Sequence, residues 1–252
     1  MPPIDFTGKT ALITGGSRGI GRAIALALAE AGCEVAVNYF RNKQSAAEVR
    51  EAIQKAGGKA HIIKGNVASE ENVHEMFDCL MTVFPSLDIL VSNAASGVLK
   101  PVMELTQHHW DWTMNINTAS LIHLIQHARP LLRKGSSVIA VSSLGAVRAI
   151  PNYAAVGASK AALESLVRHL ALELAPQGIR VNCVSAGTVE TDALRHFPNR
   201  DEILQDSQHR APSGRLTQPQ DVANAVLFLA SPLASQIHGQ TLIVDGGYSI
   251  VA

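Results

Sequence analysis

The stretch Thr10-Ala11-Leu12-Ile13-Thr14-Gly15-Gly16-Ser17-Arg18-Gly19-Ile20-Gly21 decides how this chain is read. A short β-rich run leads into Gly15, Gly19 and Gly21, after which Ile20, Ala23, Ile24, Ala27, Leu28 and Ala31 recur at three and four residues. The first run predicts a buried strand. The second predicts one apolar helix face, stopped by Gly32. Glycine between such a strand and helix lets the chain turn tightly and lets its backbone approach a ligand. The helix N-terminus offers free N–H groups and the positive end of a dipole, which suit a pyrophosphate. Gly15, Ser17, Arg18, Gly19, Ile20 and Gly21 are therefore expected to hold a nucleotide. The competing reading is a plain tight turn.

Working outward, strands are expected at Thr10–Thr14, Glu34–Asn38, Ala60–Lys64, Ile89–Asn93, Ser137–Ser142, Arg180–Val184 and Thr241–Asp245. Several are apolar throughout, as strands buried on both faces of a parallel sheet are. Helical patterns separate them, through Gln44–Ala56, Ser69–Phe84, Ala119–Leu132, Tyr153–Leu174 and Gln220–Leu229. The alternation predicts an α/β fold: a single-domain, doubly wound (Rossmann) parallel sheet with helices on both faces, spanning residues 1–252. The segment 186–215 breaks the rhythm, carries Pro198 and Pro212, and reads as a substrate-binding excursion.

Composition narrows the function. The 252 residues carry 21 Lys+Arg against 21 Asp+Glu, without the basic excess of a nucleic-acid or anionic-membrane binder. No run approaches the ~20 apolar residues of a membrane span, and Met1–Lys9 contains Asp5 and no apolar signal core. A soluble cytoplasmic protein is expected. Cys33, Cys79 and Cys183 lack disulfide or zinc spacing and read as inert, reduced thiols. His108, His109, His123 and His127 form no H-E-x-x-H pattern, so no metal site is expected.

Coenzyme choice rests on the end of the second strand, where a ribose-binding acid would stand about 20 residues after the glycines. That place reads Asn38-Tyr39-Phe40-Arg41-Asn42-Lys43, with no Asp or Glu. Arg41 and Lys43, with Arg18 in the glycine loop, favour a 2′-phosphate and hence NADPH.

These residues resemble the short-chain dehydrogenase/reductase family over essentially the whole chain. Thr14–Gly21 matches T-G-x-x-x-G-x-G, Asn66-Val67 stands where Asp-Val is usual, and Asn93-Ala94-Ala95 matches N-A-G. Ser142-Ser143 ends the fifth strand, Ala186-Gly187 replaces Pro-Gly, and Asp245-Gly246-Gly247 matches near the C-terminus. Most of the family carries Y-x-x-x-K, but the position four before Lys160 is Val156, and the nearest tyrosine is Tyr153. The longer spacing resembles enoyl-acyl-carrier-protein reductases. Residues 93–99, 110–115 and 196–200 resemble the bacterial NADPH-dependent enoyl-acyl-carrier-protein reductases III more closely still.

The resemblance implies Tyr153, Lys160, Ser143 and Asn115 as catalytic residues, Asn115 supporting a water chain behind the lysine. It implies coenzyme contacts from Arg41, Asn66, Val67, Asn93, Lys160, Gly187 and Val189, and a homotetramer. The displaced tyrosine suits the chemistry. Ketone reduction delivers hydride to the carbon that bears the oxygen, whereas enoyl thioester reduction delivers it to Cβ, two carbons from the carbonyl. On one helix, three residues amount to a rise of about 4.5 Å and nearly a turn. A hydroxyl shifted in that way suits an enolate on a thioester, and the resemblance implies that acyl carrier protein carries the thioester. Tyr153 just before the helix would be displaced differently. The competing readings are a ketoreductase and a catalytically silent nucleotide-binding protein. In segment 186–215, Val189, Leu194, Phe197, Ile203 and Leu204 suit an acyl trough; the alternative is a helix packed on the core.

Overall fold

Strands buried on both faces dictate the architecture. The structure, a computed structural model, describes residues 4–190 and 200–251. Its strands are β1 (Thr10–Ile13), β2 (Glu34–Tyr39), β3 (Ala60–Lys64), β4 (Leu87–Ser92), β5 (Leu132–Ser143), β6 (Arg180–Ala186) and β7 (Thr241–Val244). All pair in parallel, in the order β3-β2-β1-β4-β5-β6-β7. Every residue of β4 and β6 is buried, which is why both read as continuous runs without alternation.

Helices α1 (Gly19–Glu30), α2 (Lys43–Lys55) and α8 (Pro219–Ala230) cover one face. Their Ile24, Leu28, Val49, Ile53 and Val226 pack with Ile13, Val37 and Val91 of the sheet. Helices α3 (Glu70–Met81), α5 (Ser120–Ala128) and α6 (Ala154–Leu174) cover the other, through Val73, Phe77, Leu124, Leu163 and Val167 against Leu12, Leu90 and Val138. Leu12 and Ile13 thus serve opposite cores, as successive strand residues must. The doubly wound α/β sheet read from the sequence is the observed fold. The chain winds outward from β1 to β3, then returns to lay β4 beside β1. The order reverses between β1 and β4, leaving a crevice at their carboxyl ends, where ligands of open α/β sheets bind.

Helix α4 (Gln107–Met114) lies outside the sequence reading, and α7 (Arg200–Arg210) falls in segment 186–215, where a helix packed on the core was the alternative reading. Each buries a single residue, Thr113 in α4 and Ser207 in α7, so neither shows an apolar stripe. The expected helix Ala119–Leu132 is α5, and it continues α4 through a π turn at Asn115–Ala119. Burial pushes the thiols of Cys33 and Cys183 up to about 12 and keeps them protonated. Cys79, expected with them as an inert thiol, is exposed on α3. No helix among the described residues is long and apolar enough to cross a membrane.

Two polar clamps fix the ends of the layers. The buried Arg180 guanidinium donates to the carbonyls of Leu229, Ala230, Ser231 and Ala234, capping the C-terminal end of α8. At the amino edge of the sheet, buried Asp88 accepts from Lys9 Nζ at 3.1 Å, Thr10 N at 3.1 Å and Arg133 Nη2 at 3.0 Å. Burial alone would push its carboxyl up. The Thr10 N–H, Arg133 and Lys9 outweigh burial and hold it below its ordinary value. A depressed folded pKa contributes stability above the unfolded value of about 3.9 and loses it as pH falls through the folded one. Asp88→Asn is expected to cost about 1–3 kcal/mol at pH 7, since it removes the negative charge and one of the two oxygens that Lys9, Thr10 N and Arg133 donate to. Thermal unfolding across pH should show the deficit at neutral pH and its loss as pH falls through the depressed folded pKa. An equal deficit at both ends would remove the ion cluster as its source.

Candidate active site

The crevice begins at Thr14, the residue after β1. Its buried hydroxyl accepts from the backbone N–H groups of Asn93 at 2.9 Å and Ala94 at 3.1 Å. The Asn93 side chain returns the tie, donating to Thr14 O at 2.9 Å and Gly15 O at 3.2 Å. From the other flank, Asn38 at the end of β2 accepts from Gly15 N at 3.2 Å and donates to Gly65 O at 3.1 Å. Gly15 and Gly19 adopt left-handed φ values of 61° and 53°. A Cβ on Gly21 would lie 2.4 Å from Gly15 O and 2.5 Å from Asn93 Nδ2, so only glycine lets α1 start this close to the loop. Arg18 is the N-cap of α1, and its side chain makes no cap hydrogen bond. The first-turn N–H groups of α1 are presented to the crevice mouth without a side-chain cap, an arrangement that fits a pyrophosphate.

Beside the loop lies a basic cleft lined by Tyr39, Phe40, Arg41, Lys43 and Lys64. The Arg41 guanidinium stacks 5.3 Å from the centre of the Phe40 ring. Lys64, the last residue of β3, joins it because β3 pairs with β2 in the register Tyr39↔Lys64. Three cations with no carboxylate in the lining fit a 2′-phosphate. Asn66 and Val67 follow on the same edge; Asn66 Oδ1 accepts from Ala68 N at 3.2 Å, and Val67 is buried.

Across the crevice, the carboxyl end of β5 meets the start of α6. The turn Pro151-Asn152 places Asn152 in the left-handed region at φ 61°, and Tyr153 follows as the N-cap of α6. The tyrosine therefore stands before the helix, not on it. Its hydroxyl lies 3.3 Å from Ser143 Oγ. The ring packs over Gly145, where an added Cβ would come within 2.5 Å of Cε1. Burial raises the phenol above its ordinary value, only partly offset by the serine hydrogen bond, so it is a proton-bearing donor at neutral pH. Lys160 is buried and donates to Val141 O at 2.8 Å. Burial pushes its ammonium down to about 8, while Cys183 and Glu164 act upward. Val156, four residues before Lys160, is buried against Gly97, where a Cβ would fall 2.3 Å from Val156 Cγ2.

Asn115 requires a correction. The π turn rotates it to the surface, away from α6. Asn117 is the asparagine that the turn drives inward: buried, it accepts from Ser96 N at 2.9 Å and donates to Ser159 Oγ at 2.9 Å, next to Lys160. A regular helix would not bring this side chain to α6, and the π turn carries no signal in hydrophobic periodicity. Lys64, Asn38 and Asn117 are the site residues that sequence reasoning missed. Lys64 was available in principle, as the basic end of a strand expected beside β2.

After β6, Gly187 N donates to Val244 O at 2.9 Å, and buried Val189 bridges to Thr217. The excursion then contains α7, anchored by a 2.8 Å bond from Ser207 Oγ to Thr188 Oγ1. Ile203 and Leu204 are half-buried on it. The expected trough residues Leu194 and Phe197, with Arg195 and His196, lie outside the described residues. The C-terminal turn ties the excursion to the β5 loop. Tyr248 Oη donates to Asp206 of α7 at 3.2 Å, and Arg148 donates to Ser249 O at 2.6 Å.

The family model described as enoyl-(acyl carrier protein) reductase matches residues 15–249. A 1-cyclohexenylcarbonyl-CoA reductase of Streptomyces collinus is 41% identical over 97% of this chain and 88% of its own length. The 3-oxoacyl-[acyl-carrier-protein] reductase FabG of Staphylococcus aureus is 39% identical over 95% of this chain and 97% of its own. The solved RhlG/NADP active-site complex of Pseudomonas aeruginosa superposes with a TM-score of 0.90 at 32% identity, covering 98% of this chain and 99% of that one. With its glycine loop, its Ser143–Tyr153 pair and a fold shared end to end with these relatives, the chain belongs to the short-chain dehydrogenase/reductase family and is an NAD(P)-dependent oxidoreductase of that type.

Proposed function

We propose that the protein reduces the trans-2 double bond of an enoyl thioester with NADPH. The observation that carries this reading is the placement of the only tyrosine hydroxyl beside Ser143. It comes from the N-cap of α6, while the position four before Lys160 is filled by an apolar side chain. The name of the Streptomyces collinus relative describes a substrate of the same kind, a thioester whose double bond is conjugated to its carbonyl.

When bound, NADPH supplies the hydride that reaches Cβ of the substrate. The helix N-terminus and glycine loop would hold its pyrophosphate, and Arg41, Lys43 and Lys64 would hold the 2′-phosphate. Asn66, Val67, Asn93, Gly187 and Val189 would line its path, and Lys160 would hold the nicotinamide ribose hydroxyls. As the Cα–Cβ electrons move toward the carbonyl, negative charge grows on the thioester oxygen. The Tyr153 hydroxyl donates a hydrogen bond to that oxygen, and the ammonium of Lys160 stabilises the same charge. Ser143 orients the Tyr153 hydroxyl. Asn117, bonded to Ser159, takes the supporting role expected of Asn115. The enolate collapses by taking a proton at Cα, giving the saturated thioester.

The reading extends to a cytoplasmic enzyme of fatty acid synthesis that takes its substrate from acyl carrier protein and works as a homotetramer. Edge strand β7 exposes Leu242 and Ile243, with Leu172 and Leu233 exposed on α6 and after α8. A further copy of the chain would cover such an edge.

Tyr153→Phe is expected to keep NADPH binding and lose at least about 100-fold in enoyl reduction, as loss of an oxyanion donor does. Stopped-flow reduction of crotonyl thioester and coenzyme fluorescence measure the two separately. The wild-type product identifies the reaction. Efficient conversion of a 3-ketoacyl thioester to the 3-hydroxyacyl product, with no enoyl turnover, would instead establish a ketoreductase. Arg41→Glu should raise the Michaelis constant for NADPH by roughly 10- to 150-fold, the worth of one charge-assisted contact, and leave that for NADH nearly unchanged. An unaltered NADPH/NADH preference would remove Arg41 from the coenzyme site.

A further inference from the structure

Behind the site lies a buried carboxylate that the proposed chemistry does not use. Glu164 sits on α6 one turn beyond Lys160, so the two side chains share the helix face turned to the sheet. Its Oε1 accepts from Ser142 Oγ at 2.6 Å, while Lys160 Nζ donates to the carbonyl of Val141, the neighbouring residue of β5. Facing them from β6 is Cys183, a thiol that burial keeps protonated. Tyr153, at the helix start, is likewise a neutral phenol. Glu164 is thus the anion that faces the lysine, and β5 contributes only uncharged acceptors and donors.

We propose that Glu164, held by Ser142, is a positioning residue that keeps Lys160 protonated and directed at the coenzyme ribose. An ammonium buried alone gives up its proton near neutral pH, whereas an opposite charge nearby restores it. Burying a second charge to serve the first is costly. The cost is understandable if the lysine must remain an ammonium at working pH. Burial pushes Lys160 down and Glu164 acts upward, leaving it at about 8, so loss of the carboxylate would take the ammonium lower still. Ser142 fixes the carboxylate to the strand whose end carries Ser143. Both side chains are therefore tied to neighbouring residues of one strand, Glu164 to Ser142 and Lys160 to Val141.

The inference rests on the coenzyme-binding part of the proposed function but not on the substrate, so its test uses NADPH alone. Binding is followed by fluorescence from pH 6.5 to 10 in the wild type, Glu164→Gln and Lys160→Met. Glutamine keeps the acceptor for Ser142 and removes only the charge. Wild-type affinity should fall as pH rises through about 8. In Glu164→Gln the midpoint should move down by about one unit, making binding at pH 8 several-fold weaker, as loss of a nearby opposite charge does. Lys160→Met should bind weakly with no alkaline limb at all. An unmoved midpoint in folded Glu164→Gln would overturn the proposal and leave Glu164 as a strut between α6 and β5. If Glu164→Gln does not fold, the double variant Lys160→Met/Glu164→Gln decides. A folded double variant supports the pairing, because the stranded ammonium was the fault. An unfolded one overturns it. Absence of enoyl turnover in every form would count against the substrate assignment and leave these binding curves intact.

Discussion

A parallel sheet that reverses its strand order must leave two neighbouring strand ends whose following chains diverge, and something must hold them together. Here that task falls to the Thr14 hydroxyl and the Asn93 amide, which bond reciprocally across the ends of β1 and β4. The tie fixes where the glycine loop starts, and so where α1 begins and where its N-terminal N–H groups point. Asn38 repeats the device toward β2 and β3. With loop and helix locked to three strand ends, the coenzyme half of the crevice is built before any ligand arrives. The energy of binding is then not spent on ordering the loop.

The substrate half is organised on a different principle. Its groups come from a strand end, a helix N-cap and a helix interior, and close packing sets their spacing. Tyr153 can lie over the β5 loop because Gly145 has no side chain, and Val156 can fill the fourth position before the lysine because Gly97 leaves it room. Both contacts are shorter than a methyl group would allow, so the position of the hydroxyl is a packing result. Among the described residues, the excursion and the C-terminal turn are joined to this half by the bonds of Ser207, Tyr248 and Arg148 and by the backbone bond from Ser213 N to Gly246 O.

Seven strands and the glycine loop were legible because buried parallel strands and glycine punctuation are local signals. β3 matches its expected bounds, Ala60–Lys64, whereas β5 extends further, to Leu132–Ser143, through exposed Arg133, Lys134 and Gly135, which carry no buried-strand signal. Helix α4 was not legible, and α7 only as the alternative reading of its segment, since each buries a single side chain and amphipathic periodicity is absent. In the site, Tyr153, Ser143 and Lys160 come together from residues named in the sequence. Asn115 does not, because two asparagines two residues apart differ only in which one a π turn drives inward. Lys64 escaped for another reason: its place beside Arg41 depends on strand register, a long-range property.

That π turn has a consequence for how this helix can change over generations. It is equivalent to one residue beyond regular winding, and removing any one of residues 115–119 would relax it to ordinary α geometry. The relaxed helix would be better in isolation. It would also turn everything on one side by about 100° relative to the other, taking Asn117 off Ser159 and Ser96. Length here is under a constraint that composition is not. Substitutions at exposed residues of α4 such as His108 would leave this geometry intact, whereas a single-residue deletion in the turn would break the Asn117 contacts although it improves the helix itself.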